Sequence, residues 1–465
     1  MRDINSISRI YFIGIGGIGM SCLALYFKER GISVSGYDKT ESKITQNLTG
    51  KGINIHYEDN IEKIDKKADV VVYTPAIPID HKELVYYNQH NYYVLKRSDI
   101  LSEITSESYN ICVAGTHGKT TISTLIAHIL RESGYGCTAF LGGISVNYDT
   151  NFWSDSNNVC VIEADEYDRS FLKLSPDIAV ISSMDADHLD IYGTVENLEN
   201  AFVDFSKRIK QDGILISKYG LSRSLELGAA MHIAYHQNDK KADAYSTNVT
   251  IQNNCYFYDV VINEWKLEKV VLNMGGLHNV ENSIAAIAAA HMLGIDSNKI
   301  RKAIASFKGV KRRFEYILPH VASHNAIYID DYAHHPEELL ALISSAKALF
   351  PERRVVVIFQ PHLYSRTRDL AQDFAESLDD ADEVILLPIY PARELPIEGV
   401  SSNIILDKMS NSNKQVLERL ELLTYLERIT GKERSDLLFI TAGAGDIDQL
   451  VPSIKKILIN SSSDE

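Results

Sequence analysis

The run Ile111-Cys112-Val113-Ala114-Gly115-Thr116-His117-Gly118-Lys119-Thr120-Thr121 has the residue types of a phosphate cradle. An apolar strand runs into a glycine turn, and a lysine and hydroxyls open an amphipathic helix over residues 122–132, closed by Gly134. Free N–H groups at a helix start bind phosphate oxygens, a lysine adds a point charge, and a hydroxyl can ligate Mg²⁺. Only Thr116 and His117 separate Gly115 from Gly118, whereas the common P-loop places four residues there. A second turn, Gly14-Ile15-Gly16-Gly17-Ile18-Gly19, lies between a strand at 9–13 and a helix reaching about residue 30. The next strand, 32–37, ends on Asp38. That βαβ pattern suits a nucleotide diphosphate, with the acid placed to reach a nucleoside, but leaves NAD, FAD and UDP-sugars open.

Acids and amides cluster at other predicted strand ends. The run 159–162 leads into Glu163-Ala164-Asp165-Glu166-Tyr167-Asp168, one of whose acids is expected to face the phosphate turn and hold Mg²⁺. The strand 178–182 leads into Asp185-Ala186-Asp187-His188-Leu189-Asp190, where His188 is a secondary metal ligand or an orienter, since Mg²⁺ prefers oxygen. Asn279 and Asn282 share one face ahead of an alanine-rich helix at 283–293, where amides can read a purine edge or cap the helix. Lys308, Lys311, Arg312 and Arg313 form a cationic run that can reach phosphates from a hinge.

Strands and helices alternate along most of the chain, which predicts α/β domains with parallel sheets. At 465 residues the chain exceeds one ordinary core. Periodicity weakens over 97–110 and the cationic run follows residue 307; these place domains at 1–107, 108–311 and 312–465. In the last, strands are expected at 327–331, 355–359, 383–387 and 437–441, and helices at 336–349, 367–378, 414–423 and 447–458. Three polar loops there, 330–336, 360–368 and 443–446, follow strands and are expected to converge.

A dispersed net charge of −15 with no basic patch argues against nucleic acid as partner. Cys22, Cys112, Cys137, Cys160 and Cys255 form no Cys-x-x-Cys pair, which argues against zinc and disulfides. No signal-peptide core or membrane-length apolar run is present, so a cytoplasmic protein without membrane insertion is expected. With no elbow serine and no activated cysteine, an enzyme using Mg²⁺ and ATP most simply activates a substrate oxygen. A carboxylate attacking the γ-phosphoryl would give an acyl phosphate, which an amine then displaces.

The ordered set Gly115–Thr121, Glu163-Ala164-Asp165-Glu166, Asp187-His188-Leu189-Asp190, Leu277-His278-Asn279 with Asn282, Arg312-Arg313-Phe314 and Asp330-Asp331-Tyr332-Ala333-His334-His335-Pro336 resembles the Mur ligases of peptidoglycan synthesis. The resemblance spans the whole chain and includes the short phosphate turn. It implies a Rossmann-like UDP-binding domain, a P-loop ATPase-like central domain and a Rossmann-like C-terminal domain. Gly14–Ser21 and Gln360-Pro361-His362 narrow the implied reaction to joining L-alanine to the carboxylate of UDP-N-acetylmuramate with ATP and Mg²⁺.

The resemblance further implies roles for individual residues. Lys119, Glu163 and His188 are catalytic; Thr120, Glu163 and His188 hold metal. Gly115, Thr116, His117, Gly118, Lys119, Thr120 and Thr121 bind ATP, with His278, Asn279, Asn282, Arg313 and Asp331. Gly16, Gly17, Ile18, Gly19, Asp38, Thr74 and Ala76 line the UDP site, and Tyr332, His335, His362 and Arg366 the alanine pocket. Leu363 stands where many relatives carry arginine, which shifts a carboxylate contact onto Arg366. Ser183-Met184-Asp185 replaces a common Asn-Ile-Glu. The alternatives are a ligase recycling a murein tripeptide onto the same UDP-sugar, an NAD-dependent oxidoreductase using the first glycine turn, and a non-catalytic nucleotide sensor.

Overall fold

The computed structural model describes residues 7–167, 169–186, 189–319, 326–392, 394–430 and 437–460. Three sheets organise an α/β chain. The first contains β1 (Arg9–Ile13), β2 (Ser33–Tyr37), β3 (Asn54–His56), β4 (Val70–Tyr73) and β5 (Val94–Lys96), in the order β3-β2-β1-β4-β5. All its pairings are parallel. Its helices are α1 (Ile18–Glu29), α2 (Lys43–Gly50), α3 (Lys82–Gln89) and α4 (Arg97–Thr105). Strand order reverses between β1 and β4, and the carboxyl ends there form the crevice that holds the first glycine turn. Helix α4 occupies the stretch where periodicity weakens. Asp99 accepts from the Lys96 N–H at its start, and Ile100 and Leu101 are buried together with the polar Ser98 and Thr105.

The second sheet is built from β6 (Tyr109–Ala114), β7 (Thr138–Ser145), β8 (Thr150–Trp153), β9 (Val159–Glu163), β10 (Ile178–Ile181), β11 (Ile214–Lys218), β12 (Met231–His236), β13 (Ala244–Gln252), β14 (Cys255–Ile262) and β15 (Trp265–Leu272). Its order is β15-β14-β13-β12-β11-β10-β6-β9-β7-β8. Strand β6 lies between β10 and β9, parallel to both. Its residues Ile111 to Ala114 have no solvent exposure. Burying each large apolar side chain there contributes about 1.5–3 kcal/mol, so the phosphate turn leaves from a fixed point. Helices α5 (Lys119–Glu132), α6 (Leu189–Tyr192), α7 (Val195–Ser206), α8 (Leu277–Met292) and α9 (Ser297–Ser306) accompany the sheet. Helix α8 starts at Leu277, earlier than the alanine-rich run alone implies.

The third sheet contains β16 (Glu315–Leu318), β17 (Ile327–Asp331), β18 (Arg354–Phe359), β19 (Glu383–Leu386), β20 (Lys414–Val416) and β21 (Leu437–Ala442), ordered β16-β17-β21-β18-β19-β20. Strand β16 is antiparallel to β17; the other pairings are parallel. Its helices are α10 (Pro336–Leu349), α11 (Tyr364–Asp369), α12 (Ala371–Leu378), α13 (Asn403–Leu406), α14 (Arg419–Thr430) and α15 (Val451–Asn460). Two expectations change here. The helix expected at 367–378 is two helices, broken at Leu370 (φ −111°, ψ 19°). The start of the helix expected at 414–423 is the edge strand β20, paired with Val384–Leu386, and the helix begins at Arg419.

Contacts divide the chain into two units: Met1–Asn248 with Tyr258–Val270 and Glu281–Phe307, and Val249–Phe257 with Val271–Val280 and Lys308–Glu465. Within the first, α1 is fastened to the second sheet. Asn151 donates its amide to the Ile18 carbonyl (2.7 Å), and the Tyr26 ring meets Phe140 and Phe152 at 5.7 and 6.2 Å. The first glycine turn is thereby held to the sheet that carries the phosphate turn. Among the described residues no helix is long and apolar enough to cross a membrane.

Candidate active site

The phosphate turn departs from β6 with two glycines in left-handed backbone. Gly115 (φ +133°) lies so close to the Ser182–Ser183 backbone that a Cβ would sit 2.8 Å from the Ser183 nitrogen. Gly118 (φ +83°) caps α5 without a side-chain hydrogen bond, and no acid occupies the helix's first turn. That helix end therefore keeps its positive potential for an anion. The loop after β10 sews the short turn in place. Ser183 Oγ accepts from the His117 N–H (2.7 Å) and bonds Thr116 Oγ1 (2.8 Å), while Ser182 Oγ donates to the His117 carbonyl. The Asp185 N–H donates to Thr116 Oγ1 at 3.1 Å. The Ser183-Met184-Asp185 segment, which departs from the common Asn-Ile-Glu, thus bonds the turn through Ser183 Oγ and the Asp185 N–H.

Lys119 Nζ donates to the Gly115 carbonyl (2.6 Å) and to Glu166 Oε1 (2.7 Å). Glu166 is fully buried; burial pushes its carboxyl up, and Lys119 opposes the shift. The Tyr192 hydroxyl donates to the Glu166 carbonyl (2.6 Å) and fixes the backbone there. Thr120 Oγ1 donates to Glu163 Oε1 (2.9 Å), and the Gly142 N–H donates to Glu163 Oε2 (2.9 Å). Gly142 must lack a side chain, because a Cβ would overlap that carboxylate. Thr120 and Glu163 form an oxygen-only donor pair at a helix N-terminus, a set that fits Mg²⁺. His188, expected from the sequence to join the metal, lies with Asp187 outside the described residues.

Two amides named from sequence behave differently. Asn282 Oδ1 stands 2.8 Å from where a Gly118 Cβ would be, against the phosphate turn. Asn279 is buried and donates to the Gly275 carbonyl at 2.6 Å, a helix-start role. His278 is exposed.

At the first glycine turn, the Gly14 and Ile15 N–H groups donate to the Tyr37 carbonyl (2.8 and 2.9 Å). Asp38 accepts from the Gly16 N–H at 2.7 Å and from Thr40 N–H at 3.2 Å, so its carboxylate braces the turn itself. Gly17 caps α1 with no side-chain bond, and the first turn of α1 has no acid. Thr74 packs over Gly14, where a Cβ would meet its methyl at 2.8 Å, and Ala76 is exposed on the neighbouring loop.

In the second unit, the loops after β17, β18 and β21 converge. Gln360 donates to Asp446 Oδ1 (2.9 Å) and accepts from the Ile447 N–H (2.9 Å); the Arg312 guanidinium donates to the Gly443 carbonyl. Asp331 accepts from the Phe314 (2.6 Å) and Ala333 (2.7 Å) N–H groups; burial raises its carboxyl, and Arg313 opposes the rise. The His362 ring stacks on Tyr390 (5.7 Å) and meets His334 (6.2 Å), which meets Tyr332 (5.2 Å). Burial, then the charges of His334 and Arg366, lower His362 to about 4, so its ring is neutral near pH 7. His362 Nδ1 and Arg366 Nη1 are buried with no hydrogen-bond partner among the described residues. His335, chosen from sequence, is exposed at the start of α10, where Pro336 fixes the first helical position; its neighbour His334 is the one that joins the ring cluster.

Sequence reasoning passed over Glu166 as Lys119's partner, Ser183 as the brace of the turn, Gly142 beside Glu163, Arg97 and His334. The one available signal was acid density at 163–168, which did not say which acid turns inward.

Three family models cover most of the chain: Mur ligase family, catalytic domain, over 9–109; Mur ligase middle domain over 113–290; and Mur ligase, glutamate ligase domain, over 312–445. The chain is 48% identical over 457 residues to a UDP-N-acetylmuramate–L-alanine ligase of Porphyromonas gingivalis, covering 97% of this chain and 99% of that one. The crystal structure of a UDP-N-acetylmuramate-alanine ligase from Thermotoga maritima matches with TM-score 0.83 and 28% identity, covering 98% of this chain and 100% of that one. A murein peptide ligase from Psychrobacter arcticus shares the fold with TM-score 0.66 and 23% identity over 98% of this chain and 99% of that one. Matched in all three of its segments, the chain belongs to the Mur ligase family.

Proposed function

We propose that the chain is an ATP-dependent ligase that joins L-alanine to the carboxylate of UDP-N-acetylmuramate in peptidoglycan precursor synthesis, in the cytoplasm. The supporting observation is the pairing of two phosphate turns in one unit, only one of which carries a lysine, a hydroxyl and acids. Residues 1–107 would hold the UDP-sugar, 108–311 ATP, and 312–465 the amino acid. In the first step a substrate carboxylate oxygen forms a bond to the γ-phosphorus as the bond to the β-phosphate oxygen breaks, releasing ADP. Lys119 leaves the Gly115 carbonyl for the transferring phosphoryl, and the α5 amides hold its oxygens. Thr120 and Glu163 would hold Mg²⁺, which supplies neutralisation of phosphate charge; His188 is assigned beside them. Asn282, His278, Asn279, Arg313 and Asp331 are assigned to the ATP side.

In the second step the alanine amine attacks the acyl carbon, phosphate departs, and the ammonium proton is lost. The unpartnered His362 Nδ1 and Arg366 Nη1 suit the alanine carboxylate, with Tyr332 at the pocket's edge. No protein nucleophile is needed, and the cysteines are not prepared as one: burial pushes the Cys22 and Cys137 thiols up to about 12 and raises those of Cys112, Cys160 and Cys255. The oxidoreductase reading leaves the Lys119–Glu166 and Thr120–Glu163 pairs and the third sheet without a role.

Phosphate release decides between the readings. With ATP, Mg²⁺ and UDP-N-acetylmuramate, release is expected on adding L-alanine. Release only with a murein tripeptide would select the recycling reaction, and none with either would overturn both.

A further inference from the structure

Arg97 links the two phosphate turns. It is the first residue of α4, and its guanidinium lies against Gly19, the second residue of α1, so closely that a Cβ on Gly19 would overlap it. A cation is thus held at the positive end of a helix whose first turn has no acid, an arrangement that is unfavourable until an anion joins it. Asp38 is engaged by the Gly16 N–H, and the ion-pair partner of Arg97 in this structure is Asp165, whose Oδ2 is 3.2 Å from Arg97 Nη2. Asp165 belongs to the loop after β9, between Glu163, which holds Thr120, and Glu166, which holds Lys119.

We propose that Arg97 is a ligand of the nucleotide-sugar diphosphate, and that its ion pair with Asp165 is an exchange point through which occupancy of that site reaches Lys119. The inference rests on the nucleotide-sugar reading above. The Arg97 side chain is 18% exposed and that of Asp165 is 41% exposed, so the carboxylate is the weaker-held, better-hydrated partner. A diphosphate on the glycine turn brings more charge and more acceptor oxygens than one carboxylate, and takes the guanidinium. Asp165 then loses its tether to the first domain. The loop that carries Asp165 and Glu166 then keeps only its contacts within the second sheet's domain, the Tyr192 hydroxyl on the Glu166 carbonyl among them, and Lys119 is freed to turn from Glu166 to the ATP phosphates. Diphosphate and ATP binding therefore favour each other, and linkage makes the effect reciprocal.

Calorimetric titration of the full chain tests this, using UDP-N-acetylmuramate with and without a non-hydrolysable ATP analogue and its magnesium. Asp165→Asn removes the competing charge, so the nucleotide sugar is expected to bind about 2–5-fold tighter, and the enhancement by the ATP analogue is expected to vanish. Arg97→Met is expected to weaken nucleotide-sugar binding by about 10–100-fold while affinity for the ATP analogue alone is kept; Arg97→Lys recovers part of the loss. Thermal melting checks that each variant is folded. Asp165→Asn protein that binds the sugar no tighter than wild type, or retains the full enhancement, overturns the exchange alone. Failure of wild type to bind UDP-N-acetylmuramate overturns the exchange and the functional reading together.

Discussion

Lys119→Ala is expected to lower phosphate release by about 10²–10³-fold, with UDP-N-acetylmuramate binding retained. Lys119 is bonded within the phosphate turn in this structure, 2.6 Å from the Gly115 carbonyl, and an in-line phosphoryl transfer relies on charge neutralisation more than on any covalent step. The first glycine turn does not touch it, so binding of the nucleotide sugar has its own determinants. Alanine also removes the cation paired with the fully buried Glu166, so a lower melting temperature is expected. The double variant Lys119→Met, Glu166→Gln removes both charges and should recover stability without recovering turnover. Loss of nucleotide-sugar binding in folded Lys119→Ala protein would contradict the division of labour between the turns.

Glu163→Gln is expected to lower turnover by about 10²-fold and to raise the Mg²⁺ concentration needed for half-maximal rate. The amide keeps the size of the side chain and one acceptor for the Gly142 N–H or the Thr120 hydroxyl, so the turn should stay folded. What it removes is the negative charge beside Thr120. A Mg²⁺ titration of wild type and variant checks this. An unchanged midpoint would show that Glu163 serves only to anchor Thr120 and Gly142.

Much of this arrangement is legible from local pattern. The β6 run, its glycines and Lys119 sit together in sequence, and a strand buried between two parallel neighbours reads as an unbroken apolar run. The same holds for β1, the Gly14–Gly19 turn and α1. Partners distant in sequence were not legible. Glu166 reaches Lys119 across 47 residues and Ser183 reaches Thr116 across 67, and no periodicity reports such pairings. Four acids at 163–168 looked alike until the direction of β9 turned Glu163 toward Thr120, Asp165 toward Arg97 and Glu166 inward to Lys119. Short edge elements failed for a related reason. Lys414–Val416 is a strand because β19 offers it an edge, which three residues of sequence cannot record. His334 and His335 adjoin in sequence, but with α10 starting at Pro336 the His335 ring is exposed while His334 meets the His362 and Tyr332 rings, a difference that residue type does not report.

Attack of a nucleotide-sugar carboxylate oxygen on the γ-phosphoryl group is the step on which the proposed reaction depends. It is tested by labelling that carboxylate with ¹⁸O, running the reaction with ATP and L-alanine, and weighing the inorganic phosphate by mass spectrometry. Passage of ¹⁸O from the carboxylate into the released phosphate is expected; phosphate free of the label would contradict the acyl-phosphate route.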